Sequence, residues 1–243
     1  MNLFGSLFSE PQKKLYFLHI PKTAGTSVSN VLLRVATEKN LEMVGPILLD
    51  HLAQRPNWEK SDLLVGHLGL LPLDFRYKYF TVLRDPIERL YSHYCHVYRD
   101  PIHYHHKILA GEELNFEEYL LDQRFYNLNY NMQARYLSVR PKLDNSGREM
   151  IFAQKAFEFE NSSQSDINFD LAIRTLENAL CVGNSSNLSQ LGKFFEKRFG
   201  IPNIKFPFLN SNPGNRKKFT YNEIQAAEPL IELDQILFKQ YAI

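Results

Sequence analysis

The sequence predicts an α/β fold, with a P-loop-like parallel sheet that carries helices on both faces. Short apolar runs alternate with helical patterns, and strands that alternate with helices are typical of a parallel sheet. With 243 residues, 44% of them hydrophobic, the chain can bury one sizeable core, so we assign residues 1–243 to a single domain. The apolar runs lie at 13–20, 63–65, 79–83 and 180–182.

Charge and cysteine content narrow the functional class. The 28 lysines and arginines nearly balance the 27 aspartates and glutamates, and a net charge of +1 argues against a general nucleic-acid binder. Cys95 and Cys181 lack the spacing of a metal site, and two thiols fit a reducing compartment. The sequence has neither a secretory signal nor a run of about eighteen apolar residues, so we expect a cytoplasmic protein without a membrane span.

Several helices can be placed from the period of their apolar residues. From Thr26 onward, apolar residues at i, i+3, i+4 and i+7 predict the first helix. Thr220 and Glu223 form a capping box for the last helix, and Pro229 predicts a kink or a split within it. Further helical patterns lie at 116–121, 132–137, 170–179 and 188–199. We interpret the segment 100–165 as an insertion that faces the substrate.

The turn after the first strand, HIPKTAGTS at 19–27, is rich in small residues and leads into a helix. Free N–H groups at a helix N-terminus attract anions, Lys22 adds a positive charge, and Thr26 and Ser27 add hydroxyl donors. The alternative is a tight turn with a solvated lysine. Against the Walker loop, G-x-x-x-x-G-K-[ST], this turn has Thr26 in place of the lysine and Ile20 in place of the first glycine, which weakens a kinase interpretation.

A second anion site is indicated by YFTVLRDPIERLYSHY at 79–94, which has the pattern of a strand, a turn and a helix. Asp85 and Glu88 suit a capping box, which needs no functional explanation. Arg84 stands at the strand end and Ser92 follows at two four-residue steps, so both can face one phosphate. Two anion sites on neighbouring strand ends suggest a nucleotide with phosphates at two places.

Together these segments resemble the sulfotransferases that use 3′-phosphoadenosine 5′-phosphosulfate (PAPS) as donor. YFLHIPKTAGTS is similar to their 5′-phosphosulfate loop, and FTVLRDPIERLYSHY is similar to their 3′-phosphate motif. The heparan sulfate 2-O-sulfotransferase branch resembles the chain most, and it also has a Gly-His and an Asp-Phe between the two motifs. Here these are Gly66 with His67 and Asp74 with Phe75. NYNMQARYLS at 129–138 is similar to a further piece of carbohydrate sulfotransferases.

The resemblance, which covers residues 15–98, implies roles for the matching residues. Arg84 and Ser92 would hold the 3′-phosphate of PAPS. His67 would be the base that deprotonates the acceptor hydroxyl, and the branch's preceding histidine is replaced by Val65. The branch's Golgi enzymes carry a membrane anchor, so the chain resembles a soluble, bacterial-type member. The residues that would hold the 5′-phosphosulfate are Lys22, which would also neutralise the leaving oxygen, Thr23, Ala24, Gly25, Thr26 and Ser27.

Other candidate residues keep two interpretations each. The HYHH segment at 103–106 could bind a metal or form a loop beside the acceptor. We expect no metal there, because no carboxylate or cysteine partner is evident. Arg135 could contact an anionic acceptor or pair with an acidic residue. In the loop 211–219, the basic run Arg216–Lys217–Lys218 could close over the 3′-phosphate, chiefly through Lys217, or it could be solvated. The histidines of the HYHH segment are His103, His105 and His106.

We therefore predict an enzyme that moves a sulfo group from PAPS to an acceptor hydroxyl by in-line transfer. A glycan such as a uronic-acid polysaccharide is the acceptor that the resemblance implies. One alternative is a P-loop kinase, which would bind ATP with magnesium, and another is a non-catalytic nucleotide-binding module. A sulfotransferase would instead bind adenosine 3′,5′-bisphosphate without a metal. The sequence does not indicate an oligomeric state.

Overall fold

The computed structural model describes residues 14–48, 58–67, 69, 77–138, 167–207 and 217–242. Outside them lie Asp74, Phe75, Arg216, most of the loop 211–219 and residues 139–165 of the segment interpreted as an insertion. Within the described part of the chain, no helix is both long enough and apolar enough to cross a membrane.

The described residues form one sheet of five strands in the order β2-β3-β1-β4-β5. Every neighbouring pair is parallel. This sheet confirms the predicted α/β fold. The strands are β1 Lys14–Leu18, β2 Met43–Leu48, β3 Leu63–His67, β4 Tyr77–Leu83 and β5 Val182–Asn184.

Two strands differ from the sequence prediction. β2 is absent from the prediction because Gly45 and Pro46 interrupt its apolar run. Gly45 has φ 123°, and a Cβ there would lie 2.1 Å from the Val65 carbonyl oxygen, so a glycine is needed where β2 approaches β3. β5 begins at Val182, two residues later than predicted, and the first two residues of the run 180–182 lead into it.

Helices cover both faces of the sheet, as predicted. Because side chains alternate along a strand, Phe17 and Val65 face one layer while Tyr16 and Leu64 face the other. The first layer contains α1 Gly25–Lys39 and α8 Ser189–Phe199, and the second contains α6 Met132–Ser138, α7 Phe169–Glu177 and α9 Tyr221–Tyr241. These bounds confirm the helical patterns at 132–137, 170–179 and 188–199.

The last helix, α9, keeps its predicted cap but not its predicted break. Thr220 and Glu223 form the capping box, whereas the split expected at Pro229 is wrong, because α9 continues through it as one helix. Pro229 is exposed, while Ala227 and Ile231 are buried on the opposite side of the helix. The carbonyl that a proline leaves unpaired can therefore bond to water without disturbing the packed face.

A third group of helices follows β4 and packs against α9 around Leu90, Tyr119 and Leu230. Its members are α2 Pro86–Arg99, α3 His106–Gly111, α4 Phe116–Leu121 and α5 Tyr126–Asn129, with short 3-10 turns at Gln123–Phe125 and, elsewhere, Trp58–Lys60. α4 confirms the pattern at 116–121. The carboxyl ends of β3, β1 and β4 are left side by side at one edge of the sheet, where ligands bind in such folds.

Candidate active site

The loop between β1 and α1 has a backbone suited to anions. Lys22 and Ala24 have positive φ angles of 70° and 67°, a shape found in loops whose N–H groups converge on an anion. Thr23 is fully buried, and its hydroxyl donates to the Ile20 carbonyl oxygen at 2.8 Å. Thr23 therefore closes the loop with its side chain, and only its backbone is left for a ligand.

No side chain of the described residues caps the N-terminus of α1, and the first turn of α1 carries no acidic side chain. By contrast, Asp85 caps α2 and Thr220 caps α9. The first backbone bond inside α1 is made by Val28, so the N–H groups of Gly25, Thr26 and Ser27 have no partner within the helix. A helix end of this kind binds anions.

Lys22 stands among other cationic side chains. Burial lowers the pKa of Lys22, and the nearby positive charges of Arg84 and Arg99 lower it further. A group of like charges is unfavourable until an anion balances it. The electrostatics of this edge therefore fit a ligand with several negative charges, such as PAPS.

Arg84 connects the two sequence motifs. Its Nη1 donates to the Lys22 carbonyl oxygen at 3.2 Å, and its Nε lies 3.7 Å from the Glu88 carboxylate. Asp85 accepts from the Glu88 N–H as predicted, but the Glu88 carboxylate pairs with Arg84 instead of completing the capping box. Ser92 is half-buried two turns further along α2.

Gln133 holds the backbone of Arg84 at both of its polar groups. Its Oε1 accepts from the Arg84 N–H at 3.0 Å, and its Nε2 donates to the Arg84 carbonyl oxygen at 2.9 Å. Buried Asp234 in turn accepts from the N–H groups of Gln133 and Ala134 at 3.1 and 2.7 Å. No local sequence pattern indicates this pair, and the similarity of NYNMQARYLS to a piece of carbohydrate sulfotransferases is the signal that could have found Gln133.

His67 ends β3 and is oriented by His19, the residue after β1. Its Nδ1 lies 2.9 Å from the His19 carbonyl oxygen, and because a carbonyl only accepts, the proton sits on Nδ1. The Nε2 lone pair is then free to accept a proton. Burial lowers the pKa of His67 to about 4, and the positive charge of Lys22 also lowers it. His67 is therefore neutral near pH 7.

His19 is a site residue that the sequence analysis misses. Its ring stacks between those of Phe17 and His67, with centroid distances of 5.1 and 4.0 Å. A Cβ at position 25 would lie 1.5 Å from His19 Nε2, so Gly25 is needed for this ring to fit. Its place directly before the Ile-Pro-Lys turn is the signal that could have found it.

A cavity of about 310 Å³ lies beside the two histidines. It is on the β2 side of His67, whereas Arg84 is on the β4 side. His67 is therefore reached from the cavity on one side and adjoins the Lys22 loop on the other. Among the described residues, its lining includes His19, Thr26, Ser29, Asn30, Leu33, Met43, Gly45, Pro46 and His67.

The histidines of the HYHH segment contact each other and α2. His106 Nδ1 lies 3.0 Å from the Val97 carbonyl oxygen, and His103 Nδ1 accepts from the His105 N–H at 3.2 Å. Within the part of the chain that the structure describes, no group of three histidine, cysteine, aspartate or glutamate side chains could hold a metal.

Two further candidates from the sequence are engaged with other residues. Lys217 Nζ lies 2.7 Å from the Glu223 carboxylate and 4.9 Å from the ring centre of Tyr91, the neighbour of Ser92. Arg135 is only 2% exposed, and its guanidinium donates to the Asn127 carbonyl oxygen. Arg135 thus lies inside the protein, whereas Lys217 lies against α2.

The fold and this edge together define a class of α/β proteins that bind phosphate-bearing ligands at strand ends. The chain matches the model of the sulfotransferase family over residues 6–198, and it therefore belongs to that family. It is also 35% identical over 85 residues to a protein-tyrosine sulfotransferase of Arabidopsis thaliana. That match covers 33% of this chain and 16% of the plant protein. Neither match identifies the heparan sulfate 2-O branch, which stays a prediction.

Proposed function

We propose that this protein transfers the sulfo group of PAPS to an acceptor hydroxyl, with His67 as the base. The observation that carries this proposal is the bond from Arg84 to the backbone of the Lys22 loop, beside His67 on the adjacent strand. Two anion-binding motifs and a neutral imidazole then share one edge of the sheet. Membership of the sulfotransferase family supports sulfo transfer as the reaction.

The binding residues divide between the two ends of the donor. When bound, PAPS supplies a sulfo group joined to a leaving phosphate, by analogy with phosphoryl transfer. Lys22 and the backbone of residues 23–27 would hold the 5′-phosphosulfate. Arg84 and Ser92 would hold the 3′-phosphate, and Lys217, which lies against Tyr91 of α2, would close over it. The positive charges of Arg84 and Arg99 near Lys22 support this assignment.

The chain's own residues can carry the proton and the charge. His67 Nε2 would accept the proton of the acceptor hydroxyl, and the Nδ1–H bond to the His19 carbonyl oxygen would stabilise the imidazolium that forms. Lys22 would stabilise the negative charge that grows on the leaving oxygen. Neither role requires a metal ion.

The acceptor and the location belong to the proposal. The resemblance to the heparan sulfate branch favours a glycan hydroxyl, while the name of the plant relative favours a tyrosine hydroxyl. The free thiols of Cys95 and Cys181 support a reducing, cytoplasmic environment.

A thermal-shift comparison tests the donor assignment. We expect adenosine 3′,5′-bisphosphate in EDTA to stabilise the protein, by about 2.7 kcal/mol at a hundredfold excess over Kd. ATP with magnesium should give a much smaller shift. Stabilisation by ATP with magnesium, but not by the bisphosphate, would instead support a kinase. Binding of the bisphosphate without sulfo transfer from PAPS to any hydroxyl would support a non-catalytic module.

A further inference from the structure

Arg89 is a fully buried arginine that the proposed mechanism does not use. It lies in the first turn of α2, five residues after Arg84, and none of its side chain is exposed. Its Nε, Nη1 and Nη2 atoms have no hydrogen-bond partner among the described residues. Buried polar atoms in native proteins are nearly always paired, and an uncompensated buried charge is strongly unfavourable. Arg89 therefore needs a negative charge close by.

Asp234 on α9 is the negative charge that acts most strongly on Arg89. Its side chain is also fully buried. Burial raises the pKa of Asp234 to about 6, and Arg89 is the strongest of the influences that oppose this rise. Because no hydrogen bond joins the two side chains, they interact as separated charges in a poorly screened interior.

Uncharged rings surround Arg89 on the side of α4. The hydroxyl of buried Tyr119 donates to Asn129 Oδ1 at 2.8 Å and lies 2.9 Å from His93 Nδ1. Burial raises the pKa of Tyr119 and lowers the pKa of His93, so both rings are uncharged at neutral pH. Neither ring can balance the charge of Arg89.

The groups of α6 and the end of β4 act on the pair more weakly. Arg135 of α6 favours the charged form of Asp234, but less than Arg89 does. Tyr136 of α6 acts on Arg89 less than Asp234 does, and Arg84 acts on it with a charge of the same sign. Arg89 is therefore the main counter-charge of Asp234.

The Asp234 carboxylate is connected to the second anion motif through Gln133. Its oxygens accept from the Gln133 and Ala134 N–H groups, and the Gln133 side chain holds both backbone groups of Arg84. Hydrogen bonds to an ionised carboxylate are roughly twice as strong as those to a neutral group. The charge on Asp234 therefore strengthens the bonds that fix the position of Arg84.

We propose that Arg89 is a positioning residue for the donor, which keeps the Asp234 carboxylate ionised and thereby holds Gln133 against Arg84. The donor is that of the proposed function, so this inference rests on that function. Without the charge of Arg89, the pKa of Asp234 would rise further, and its carboxyl group would take up a proton at neutral pH. Donor affinity would then fall at neutral pH and recover as the pH is raised.

A double-mutant cycle tests this role, with the affinity for adenosine 3′,5′-bisphosphate measured by calorimetry. At pH 7, Arg89→Met should weaken binding about three- to thirtyfold, and Arg89→Lys, which keeps the charge, should lose less. In the Asp234→Asn background, Arg89→Met should cost less than about twofold, because no carboxylate remains to be ionised. Arg174→Met, at an exposed position of α7, is the control.

Circular dichroism and melting temperatures check that each variant is folded. If Arg89→Met does not fold, Arg89→Gln removes the charge and keeps a polar side chain in its place. Losses of equal size in the wild-type and Asp234→Asn backgrounds would overturn the proposal, because Arg89 would then act independently of Asp234.

The pH dependence of binding gives a readout that a purely structural role would not change. The difference in affinity between the wild-type protein and Arg89→Met should narrow severalfold from pH 7 to 8.5, because the higher pH ionises Asp234 again. Titration of Lys22 affects both proteins alike and cancels in this comparison. A constant difference would mean that Arg89 acts by packing alone, and the proposal would be wrong.

Carboxyl ¹³C NMR of protein labelled at aspartate measures the ionisation of Asp234 without a ligand. Asp234→Asn assigns the resonance. Asp234 should be mostly ionised at pH 7 in the wild-type protein and mostly protonated in Arg89→Met. An Asp234 that stays ionised in Arg89→Met overturns this inference and leaves the proposed function intact. If the wild-type protein does not bind the bisphosphate, the proposed function fails, and the role of Arg89 in donor binding fails with it.

Discussion

At the scale of single residues, His67 owes its protonation state to its neighbours. The His19 carbonyl oxygen fixes the proton on Nδ1, and burial keeps the ring uncharged. The same carbonyl belongs to the residue whose ring stacks on His67 and covers Gly25. A single residue, His19 directly after β1, thus orients the base and shapes the start of the phosphate loop.

The first prediction concerns the tautomer of His67. Because burial lowers the pKa of His67 to about 4, the ring should be neutral at pH 6 with its proton on Nδ1. Long-range ¹H–¹⁵N spectra measure both properties, with His67→Gln as the assignment control. A charged ring at pH 6, or a proton on Nε2, would contradict the orientation that gives His67 its role.

The second prediction separates His67 from Lys22. His67→Ala should lower kcat by about 10²–10⁴-fold, because the base is lost, and leave the affinity for adenosine 3′,5′-bisphosphate nearly unchanged. Lys22→Ala should impair both kcat and that affinity, since Lys22 contacts the donor. Calorimetry and transfer assays measure these effects, and circular dichroism checks folding. Should the His67 variant bind the bisphosphate as weakly as the Lys22 variant, His67 is a nucleotide ligand or a structural residue.

The third prediction concerns Arg84. Arg84→Ala should weaken adenosine 3′,5′-bisphosphate by about 1.5–3 kcal/mol, the contribution of a charge-assisted hydrogen bond, and weaken adenosine 5′-monophosphate much less. Calorimetry with both ligands measures the difference. Arg34→Ala, at an exposed position of α1, is the matched control. Equal losses for the two nucleotides would mean that Arg84 acts only through its bond to the Lys22 loop.

At the scale of elements, α6 and α9 set the position of the second anion motif. Asp234 on α9 accepts from the N-terminal N–H groups of α6, and Asn131 Oδ1 accepts from the Leu233 and Asp234 N–H groups in return. α6 then presents Gln133 to the end of β4. The backbone of Arg84 is thereby held in place, and its guanidinium donates to the Lys22 carbonyl oxygen in the phosphate loop.

The fourth prediction tests this support. Gln133→Leu should weaken adenosine 3′,5′-bisphosphate about three- to thirtyfold, because it leaves both backbone groups of Arg84 without their partner. Gln133→Glu should lose less, since a carboxylate still accepts from the Arg84 N–H. Gln225→Leu, at an exposed position of α9, is the control. A lower melting temperature with unchanged affinity would show that Gln133 serves stability alone.

At the scale of the whole molecule, buried ionisable groups control how the stability of the folded protein depends on pH. Burial lowers the pKa values of His19, His67 and His93. Between pH 4 and 6.5 the folded state therefore binds fewer protons than the unfolded state, so its stability rises with pH. Burial raises the pKa of Asp234 to about 6, which opposes this trend in part.

The fifth prediction follows from that balance. Because three buried histidines outweigh one carboxyl group, the free energy of unfolding should rise between pH 4.5 and 7. Urea unfolding followed by circular dichroism at several pH values measures it. Asp234→Asn should make the rise steeper by removing the opposing group. A flat or falling profile would mean that the histidines are not neutral in the folded protein.

Local features of this protein are determined by its sequence. The caps of α2 and α9, the uncapped start of α1 and the turn after β1 depend on residues within about four positions of each other. The two anion motifs could be recognised for the same reason, because each is one continuous strand, turn and helix. Strand ends place Lys22, His67 and Arg84 on one edge once the sheet is known to be parallel.

Features that depend on contacts between residues far apart in the sequence are determined only by the tertiary structure. The bond from Gln133 to Arg84 spans 49 positions and that from His67 to His19 spans 48, so no local pattern announces them. β2 forms only because Gly45 lets it approach β3, and α9 continues through Pro229 because that residue faces solvent. The sequence supplied a histidine and a glutamine in ordinary segments. Burial and long-range hydrogen bonds, which depend on the assembled fold, keep His67 neutral and let Gln133 hold the backbone of Arg84.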